Sequence, residues 1–453
     1  MIRAFFEKLF TPAVAIMSRL WYWQKFLLFF ILFMIPVGYA IFSYIHQLDK
    51  SIAFSKKEII GIQYVSPTLL LLQHIQQHRG AASLYLRGDQ SFKTVLDGKE
   101  QEIVQDIARV DAEDQKSGIV FQSTADWNAV KGKWLALEGK YPTMTPTESY
   151  TQHTDLISDI IALVHKLGDE SNLILDPQLA SYEVMNTIIN LLPALTENMG
   201  RARAFGLSVQ DSGKISDEER KQFIIYANTA SIENTKLQND MRESFGNDPS
   251  LREELEDPSK EIDRAVKGFT SLVEQTISSE KIPIALPEYY TFMTRAIDTH
   301  FMFSTHLISV LTGLIENRVA QAEKDKQTTI LITFWSCILI LYFFIGFYLL
   351  IARTVRDFKN IAKQLISGRV TEVPVLSQDE LGEVGKSFNN IGQELIASNN
   401  EILGRAQEFQ KKSDEFEHMN KFMIDREVKM SELKEEIRKL KEGGGNGVAF
   451  YKS

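Results

Sequence analysis

The chain has 453 residues, enough for two or three domains, and a formal net charge of -9. This acidic balance argues against a nucleic-acid partner, because contacts to phosphates need a basic surface. The only cysteine, Cys337, excludes an intramolecular disulfide, a redox pair and a Cys-type zinc site. A large domain in this chain must therefore be held together by core packing.

Two uncharged apolar runs predict two transmembrane helices. They span residues 26–45 and 328–351, and about 20 apolar residues suffice to cross the hydrocarbon core. Trp21, Tyr22 and Trp23 lie where an interfacial aromatic belt is expected. The first run is too long for the apolar region of a cleaved signal peptide, so we expect it to stay as an anchor.

Lysine and arginine residues predict the orientation of these runs. They cluster before the first run and after the second, at Arg3, Lys8, Arg19, Lys25, Arg353, Arg356, Lys359, Lys363 and Arg369. Flanks rich in these residues stay on the cytoplasmic side. We therefore expect a protein of the inner (plasma) membrane, with both termini in the cytoplasm and residues 46–327 outside.

The segment between the runs has the signals of an all-α fold. Three helix starts carry N-cap signals: Thr145 with Glu148, Ser216 with Glu219, and Asp176 with Pro177. No long alternating pattern of strand type competes with them. The sequence therefore predicts a helical bundle outside the membrane.

A faint internal repeat divides this bundle. Arg79 and Arg201 each follow a leucine-rich stretch, and each is followed ten residues later by an aspartate. The repeat predicts two related helical halves, about 46–175 and 176–327.

Residues 72–82 read Leu-Gln-His-Ile-Gln-Gln-His-Arg-Gly-Ala-Ala. This stretch resembles the Gln-x-Glu-Arg-Gly helix of nitrate- and nitrite-sensing (NIT-type) domains, and residues 175–203 resemble the second half of such receptors. The resemblance implies that one arginine from each half faces a small anion at a dimer interface. The implied ligand-binding residues are Arg79 and Arg201, with Arg203 as the alternate. The chain departs from the pattern at His78, where the family usually has glutamate.

The chemistry of arginine fits such a ligand. Its planar fork can donate two parallel hydrogen bonds to a planar oxyanion. Arg79 precedes Gly80 and two alanines, so a second helix can approach closely and remove water from the guanidinium. A desolvated guanidinium needs an anionic partner. That partner is either a bound anion or a carboxylate such as Glu197 in a structural ion pair, and the sequence leaves both open.

No set of residues in the sequence suggests catalysis or a metal site. His74 and His78 are spaced like a metal-binding pair, but no third ligand is implied, so polar histidines on a helix surface are expected. His418 is not followed by the ATP-binding segments of a histidine kinase. We therefore expect no enzyme, no cofactor and no metal.

The segment after the second run resembles a HAMP domain. Apolar residues at a 3-4-3 spacing predict a parallel-bundle seam, at Val355, Phe358, Ala362 and Leu365. The further HAMP-like elements are Ser367-Gly368-Arg369-Val370, the connector residues Val373, Val375 and Leu376, Asp379-Glu380-Leu381-Gly382, and Phe388-Asn389. The resemblance implies a four-helix bundle made by two chains.

A heptad pattern continues from Leu381 to Leu440. All of its a positions are apolar, namely Leu381, Phe388, Leu395, Ile402, Phe409, Phe416, Met423, Met430 and Ile437. The d positions are polar in the middle, at Ser398, Arg405 and Lys412. The pattern predicts a parallel homodimeric coiled coil with a loosely packed centre.

These patterns predict a transmembrane sensor that has the architecture of a chemoreceptor or sensor kinase without the output module. Its segments are a cytoplasmic stretch 1–25, a span 26–45, a sensor domain 46–327, a span 328–351, a HAMP-like domain 352–404, a coiled coil 405–441 and a flexible tail 442–453. Its expected partners are a small anion such as nitrate or nitrite, a second copy, membrane lipid and a cytoplasmic signalling protein. The alternatives are a membrane-anchored scaffold whose outer domain binds a protein, or a chain whose output module is lost or supplied by another protein.

Overall fold

The computed structural model of the chain describes residues 2–212, 215–279, 282–366 and 378–442. No β-strand occurs in these ranges, which confirms the predicted all-α class. The helices are α1 (Ile2–Arg19), α2 (Tyr22–Leu86), α3 (Lys93–Ser117), α4 (Thr124–Glu138), α5 (Pro146–Glu170), α6 (Leu179–Asn186), α7 (Leu192–Ser212), α8 (Asp217–Asn247), α9 (Ser250–Ser279), α10 (Leu286–Ile366) and α11 (Glu380–Glu442).

Two of the three predicted helix starts are confirmed. Thr145 caps α5 and Ser216 caps α8, each in a complete capping box with the glutamate three residues later. These boxes satisfy amide groups that the first helical turn leaves without an intrahelical partner.

The helix start predicted at Asp176 and Pro177 is wrong. Helix α6 begins at Leu179, and Gln178 is its N-cap. The carboxylate of Asp176 instead accepts a hydrogen bond from the Gln178 amide at 2.9 Å and another from Arg318 at 2.7 Å. A distant arginine thus holds this aspartate at the end of a short 3-10 turn, Leu173–Leu175.

The first compact unit, Val37–Thr333, is a helical bundle with a continuous apolar core. Parts of α2 and α10 run through it together with α3 to α9. Its largest fully buried side chains include Trp127 and Trp134 of α4 and Phe269 of α9. Aromatic side chains of this size contribute much of the area removed from water, so core packing alone can hold the unit without a disulfide.

A π-helical turn, Thr187–Leu191, joins α6 to α7. Pro193 follows at the start of α7 and has no amide hydrogen to donate to the residue four positions back. The amide of Leu192 donates to the Thr187 carbonyl, which is a five-residue hydrogen bond. The turn therefore contains one residue more than a regular helix would.

The second compact unit comprises Met1–Pro36 and Phe334–Ser453. Its apolar stretches belong to α2 and α10, both of which are long and apolar enough to cross a membrane. They pack together through edge-on aromatic contacts, with the ring centroid of Phe26 5.7 Å from that of Phe344 and 5.4 Å from that of Phe347.

The structure describes part of the HAMP-like segment of this unit. Asp379 accepts a hydrogen bond from the Leu381 amide at 3.0 Å, and the rings of Phe358 and Phe388 stack at 5.6 Å. The motif at 367–370, the connector residues Val373, Val375 and Leu376, and the tail from residue 443 fall outside the described residues.

Helix α11 is continuous across the predicted heptads. Seven of its a-position side chains are at least 51% exposed in the single chain: Leu395, Ile402, Phe409, Phe416, Met423, Met430 and Ile437. The pairing of this helix with a second copy stays a prediction.

Candidate functional site

Helices α2 and α7 cross at a pair of glycines. A Cβ atom built on Gly80 would lie 2.7 Å from Nη2 of Arg203, and one built on Gly200 would lie 2.6 Å from Nη2 of Arg79. Each helix thus lays an arginine across the glycine of the other. The predicted internal repeat relates the segment around Arg79 to the segment around Arg201. These two segments are therefore in direct contact.

Glu197 of α7 binds the arginines on one side of this crossing. Arg79 donates to both of its carboxylate oxygens, at 2.8 and 3.0 Å, and the side chain of Arg79 is fully buried. Arg201 donates from Nε to Oε1 at 2.7 Å, and Gln76 donates to Oε2 at 3.2 Å. A planar carboxylate is therefore held by a two-pronged guanidinium and two further donors, which is a strong charge-assisted arrangement.

Arg203 on the other side has no carboxylate within ion-pair distance among the described residues. It donates to the hydroxyl of Thr294 at 2.8 Å and to the carbonyl of Gln76 at 2.8 Å, and its guanidinium lies 5.3 Å from the ring centroid of Tyr290. Burial lowers the pKa of Arg203, although arginine still carries its charge at neutral pH. This is a buried positive charge with neutral partners only.

The three arginines differ in access to solvent. Arg79 and Arg203 are buried, whereas the side chain of Arg201 is 31% exposed. The Arg79 guanidinium also contacts the Tyr150 ring, 5.4 Å from its centroid, and the Thr154 hydroxyl at 3.0 Å. Arg201 is thus the member of the cluster that a ligand meets first from outside.

The charges at the crossing do not balance. Three guanidiniums lie at the crossing, and the Glu197 carboxylate pairs with two of them, Arg79 and Arg201, whereas Arg203 contacts neutral groups. Asp298 also faces this region, but it accepts hydrogen bonds from Gln77 at 2.6 Å and Gln73 at 3.4 Å instead of from an arginine. The arrangement can therefore accept one further small anion without leaving negative charge in excess.

Next to Arg79, the prediction of a surface histidine at position 78 is wrong. His78 is fully buried, and its Nδ1 lies 2.8 Å from Nε2 of His153. The rings of Trp134 and Tyr141 meet it edge-on. His74 is partly buried between Glu102 and Asp106. No cluster of three potential metal ligands occurs in the part of the chain that the structure describes.

Tautomers at this histidine pair follow from the acceptors around it. Nδ1 of His153 lies 2.7 Å from the Ser149 carbonyl, so it carries the hydrogen, and its Nε2 accepts from His78. Nε2 of His78 then faces the carboxylate of Glu100 at 3.6 Å. Burial lowers the pKa of both histidines, and the Glu100 carboxylate opposes this effect at His78.

A protein-family model matches the part of the chain that contains this site. The model described as nitrate and nitrite sensing matches residues 70–310, which is more than half of the chain and includes every arginine of the crossing. The chain belongs to the nitrate- and nitrite-sensing (NIT) family. The NIT match supports a nitrate- or nitrite-sensing role.

The comparisons with curated proteins and with solved structures add less information about the family of the chain. No curated protein matches the chain. Among solved structures, one titled as the NasR transcription antiterminator is similar with a TM-score of 0.48 and 14% sequence identity, over 82% of this chain and 100% of that one.

The NIT domain holds its arginines with residues that the motif did not indicate. Thr154, Thr294 and Gln76 all contact a guanidinium, and only Gln76 lies in the quoted motif. The two threonines are separated from their arginines by 75 and 91 residues. No spacing in a single sequence indicates such contacts.

Proposed function

We propose that this NIT-family chain is a membrane-anchored sensor that binds nitrate, nitrite or another small planar anion at Arg79, Arg201 and Arg203. The observation that carries the proposal is the excess of buried positive charge where α2 crosses α7. A buried charge is costly unless it is paired, so an anion that enters this cluster gains more than one bound at the surface.

The shape of the site favours a planar oxyanion. Each of the two oxygens of the Glu197 carboxylate accepts a hydrogen bond from one prong of the Arg79 fork. Nitrate and nitrite present two oxygens with similar geometry, so they can take the same kind of donors. A spherical halide makes only single contacts and gains less from the fork.

The proposed signal travels along two helices. Both α2 and α10 contain a candidate membrane span, and both contribute to the surroundings of Arg203, through Gln76 and Thr294. An anion that changes the contacts of Arg203 therefore acts on both helices. In this proposal residues 46–327 lie outside the membrane, both termini lie in the cytoplasm, and the HAMP-like segment relays a small helix shift to the coiled coil.

The anion site is tested on the full chain in detergent with nitrate, nitrite and chloride. We expect nitrate to raise the melting temperature, because a ligand that binds only the folded state stabilises it. Arg201→Ala should weaken binding by about 1.5–3 kcal/mol, since it removes a charged donor from a partly buried site. Arg79→Lys should weaken it too, because lysine lacks the two-pronged fork.

Arg109→Ala is the control, since Arg109 is an arginine outside the site that also pairs with an acidic side chain three or four residues away, although its side chain is more exposed, at 56%. It should bind nitrate like the parent. If both site variants bind nitrate normally while folded, the assignment is wrong. If no small anion raises the melting temperature, the scaffold alternative is favoured instead.

We also propose that α11 pairs with a second copy in parallel. Leaving its apolar a positions in water would be unfavourable, and a parallel partner covers them. With Cys337 replaced by serine, cysteine at Met423 or Met430 should form a disulfide with the same position of the second chain. Cysteine at Val428, an f position on the outer side of the register, should not. Equal crosslinking at both kinds of position would contradict the register.

A further inference from the structure

Arg318 joins two buried carboxylates away from the arginine crossing. Its Nη2 lies 2.5 Å from Glu58 Oε2, and its Nη1 lies 2.7 Å from Asp176 Oδ1. Both carboxylate side chains are fully buried, and that of Arg318 is only 10% exposed. We refer to these three residues as the clasp.

The clasp connects the segments whose relative movement matters for a signal. Glu58 belongs to α2, Arg318 to α10, and Asp176 to the connection between the two predicted halves. Nearer to the apolar runs, α2 and α10 also share the exposed pairs Lys56–Glu323 and Asp49–Lys326. Exposed pairs contribute little to stability, whereas buried charges are strongly coupled, so the clasp is the dominant polar contact there.

The charges of the clasp do not cancel. Two carboxylates share one guanidinium, and three buried atoms of the clasp have no hydrogen-bond partner among the described residues: Glu58 Oε1, Asp176 Oδ2 and Arg318 Nε. With both carboxylates ionised, the cluster therefore holds one uncompensated negative charge. A proton on Glu58 removes that charge.

The groups around Glu58 determine how readily it takes a proton. Burial raises its pKa, Arg318 from α10 lowers it, and Asp176 raises it again, with the result at about 7. The Ser55 hydroxyl on α2 itself favours the ionised form. These are the charged and polar groups that face the Glu58 carboxylate from the elements packed against it.

We propose that Glu58, Asp176 and Arg318 form a proton-binding latch that holds α2 and α10 together when Glu58 is protonated. Release of the proton leaves a net negative charge inside the bundle and weakens the contact between these helices. The sensor then responds to pH as well as to its ligand. This inference does not depend on the anion site, since a chain that binds no nitrate can still carry the latch.

The direction of the pH dependence follows from the raised pKa. Between about pH 4.5 and pH 7 the folded chain keeps the Glu58 proton and the unfolded chain loses it. The contribution of Glu58 to stability therefore falls as the pH rises through this range. Burial lowers the pKa values of His78, His153 and His300, which makes their contributions rise with pH in the same range. Comparison with a Glu58 variant separates the two effects.

The experiment compares the full chain in detergent with Glu58→Gln from pH 5 to pH 8.5. The folding equilibrium of the parent, relative to the variant, should fall by up to about tenfold per pH unit below pH 7 and level off above it. Nitroxide labels on cysteines at positions 56 and 323, with Cys337 replaced by serine, report the spacing of α2 and α10. We expect broad dipolar spectra at pH 6 and narrower ones at pH 8.5 in the parent, and broad spectra at both in Glu58→Gln.

Two further variants test whether the pH response comes from the clasp. Glu316→Gln changes an exposed glutamate on the same helix as Arg318 and should behave like the parent at every pH. Asp176→Asn removes a neighbouring negative charge that raises the Glu58 pKa, so it should shift the pH response to lower pH, and it gives a second readout if Glu58→Gln folds poorly. A parent whose stability relative to the variants does not change with pH would overturn the proton site. A label spacing that is equal at pH 6 and pH 8.5 would overturn the latch.

Discussion

Replacement of Glu197 by alanine should lower the free energy of unfolding by about 3–5 kcal/mol, the range found when one partner of a buried ion pair is removed. Glu197 is 5% exposed and accepts from Arg79, Arg201 and Gln76. Without it, the Thr154 hydroxyl is the one hydrogen-bond acceptor left to the fully buried Arg79 guanidinium among the residues that the structure describes. An unpaired charge in the core is the largest penalty that a single substitution at this crossing can create.

Thermal and chemical unfolding of the full chain measure this effect. Glu261→Ala is the control, because Glu261 is an exposed glutamate on α9, and it should change stability by less than about 0.5 kcal/mol. Nitrate should restore part of the lost melting temperature in Glu197→Ala if it occupies the vacated donors. A Glu197→Ala chain as stable as the parent would mean that Arg79 is not buried in the folded protein.

Trp134→Ala should cost a similar amount, about 3–5 kcal/mol, because truncation of a buried tryptophan leaves a cavity that the surroundings fill only in part. Trp134 is 1% exposed, and its ring meets the His78 ring at 5.0 Å. The loss would also open the histidine pair to water and bring the pKa of His78 back towards its ordinary value. Stability should then fall less steeply below pH 6.5 than in the parent.

Leu135→Ala is the matched control for this cavity. Leu135 follows Trp134 on the same helix but is 59% exposed, so its truncation removes little buried surface. Unfolding of both variants at pH 7 and pH 5.5 gives the comparison. Equal losses in the two variants would contradict the packing described for α4.

Local signals in the sequence were sufficient for the class of fold and for much of its helix pattern. The capping boxes at Thr145 and Ser216 are complete within four residues, so they act whatever the rest of the chain does. Asp176 was misassigned because its side chain is also bound by Arg318, 142 residues away. A competing tertiary contact of that kind cannot be detected from a dipeptide.

The candidate site was predicted in part. The need of Arg79 for an anionic partner followed from its small neighbours, and Glu197 was the alternative named for that role. Whether Arg79 binds a carboxylate or a ligand depends on all the charges at the crossing. These charges can be counted only from three-dimensional positions. The burial of His78 depends on His153, Trp134 and Tyr141, and none of these residues is near it in the chain.

The π-turn between α6 and α7 sets the rotational phase of the segment that bears Arg201. One additional residue rotates everything on one side of the turn by about 100° relative to a regular helix. A helical wheel drawn from Leu179 through Ser212 therefore assigns wrong faces to residues on one side of it. Deletion of one residue here would turn Glu197 away from Arg79, so chains that lack the extra residue need a different acidic position to meet the same arginine.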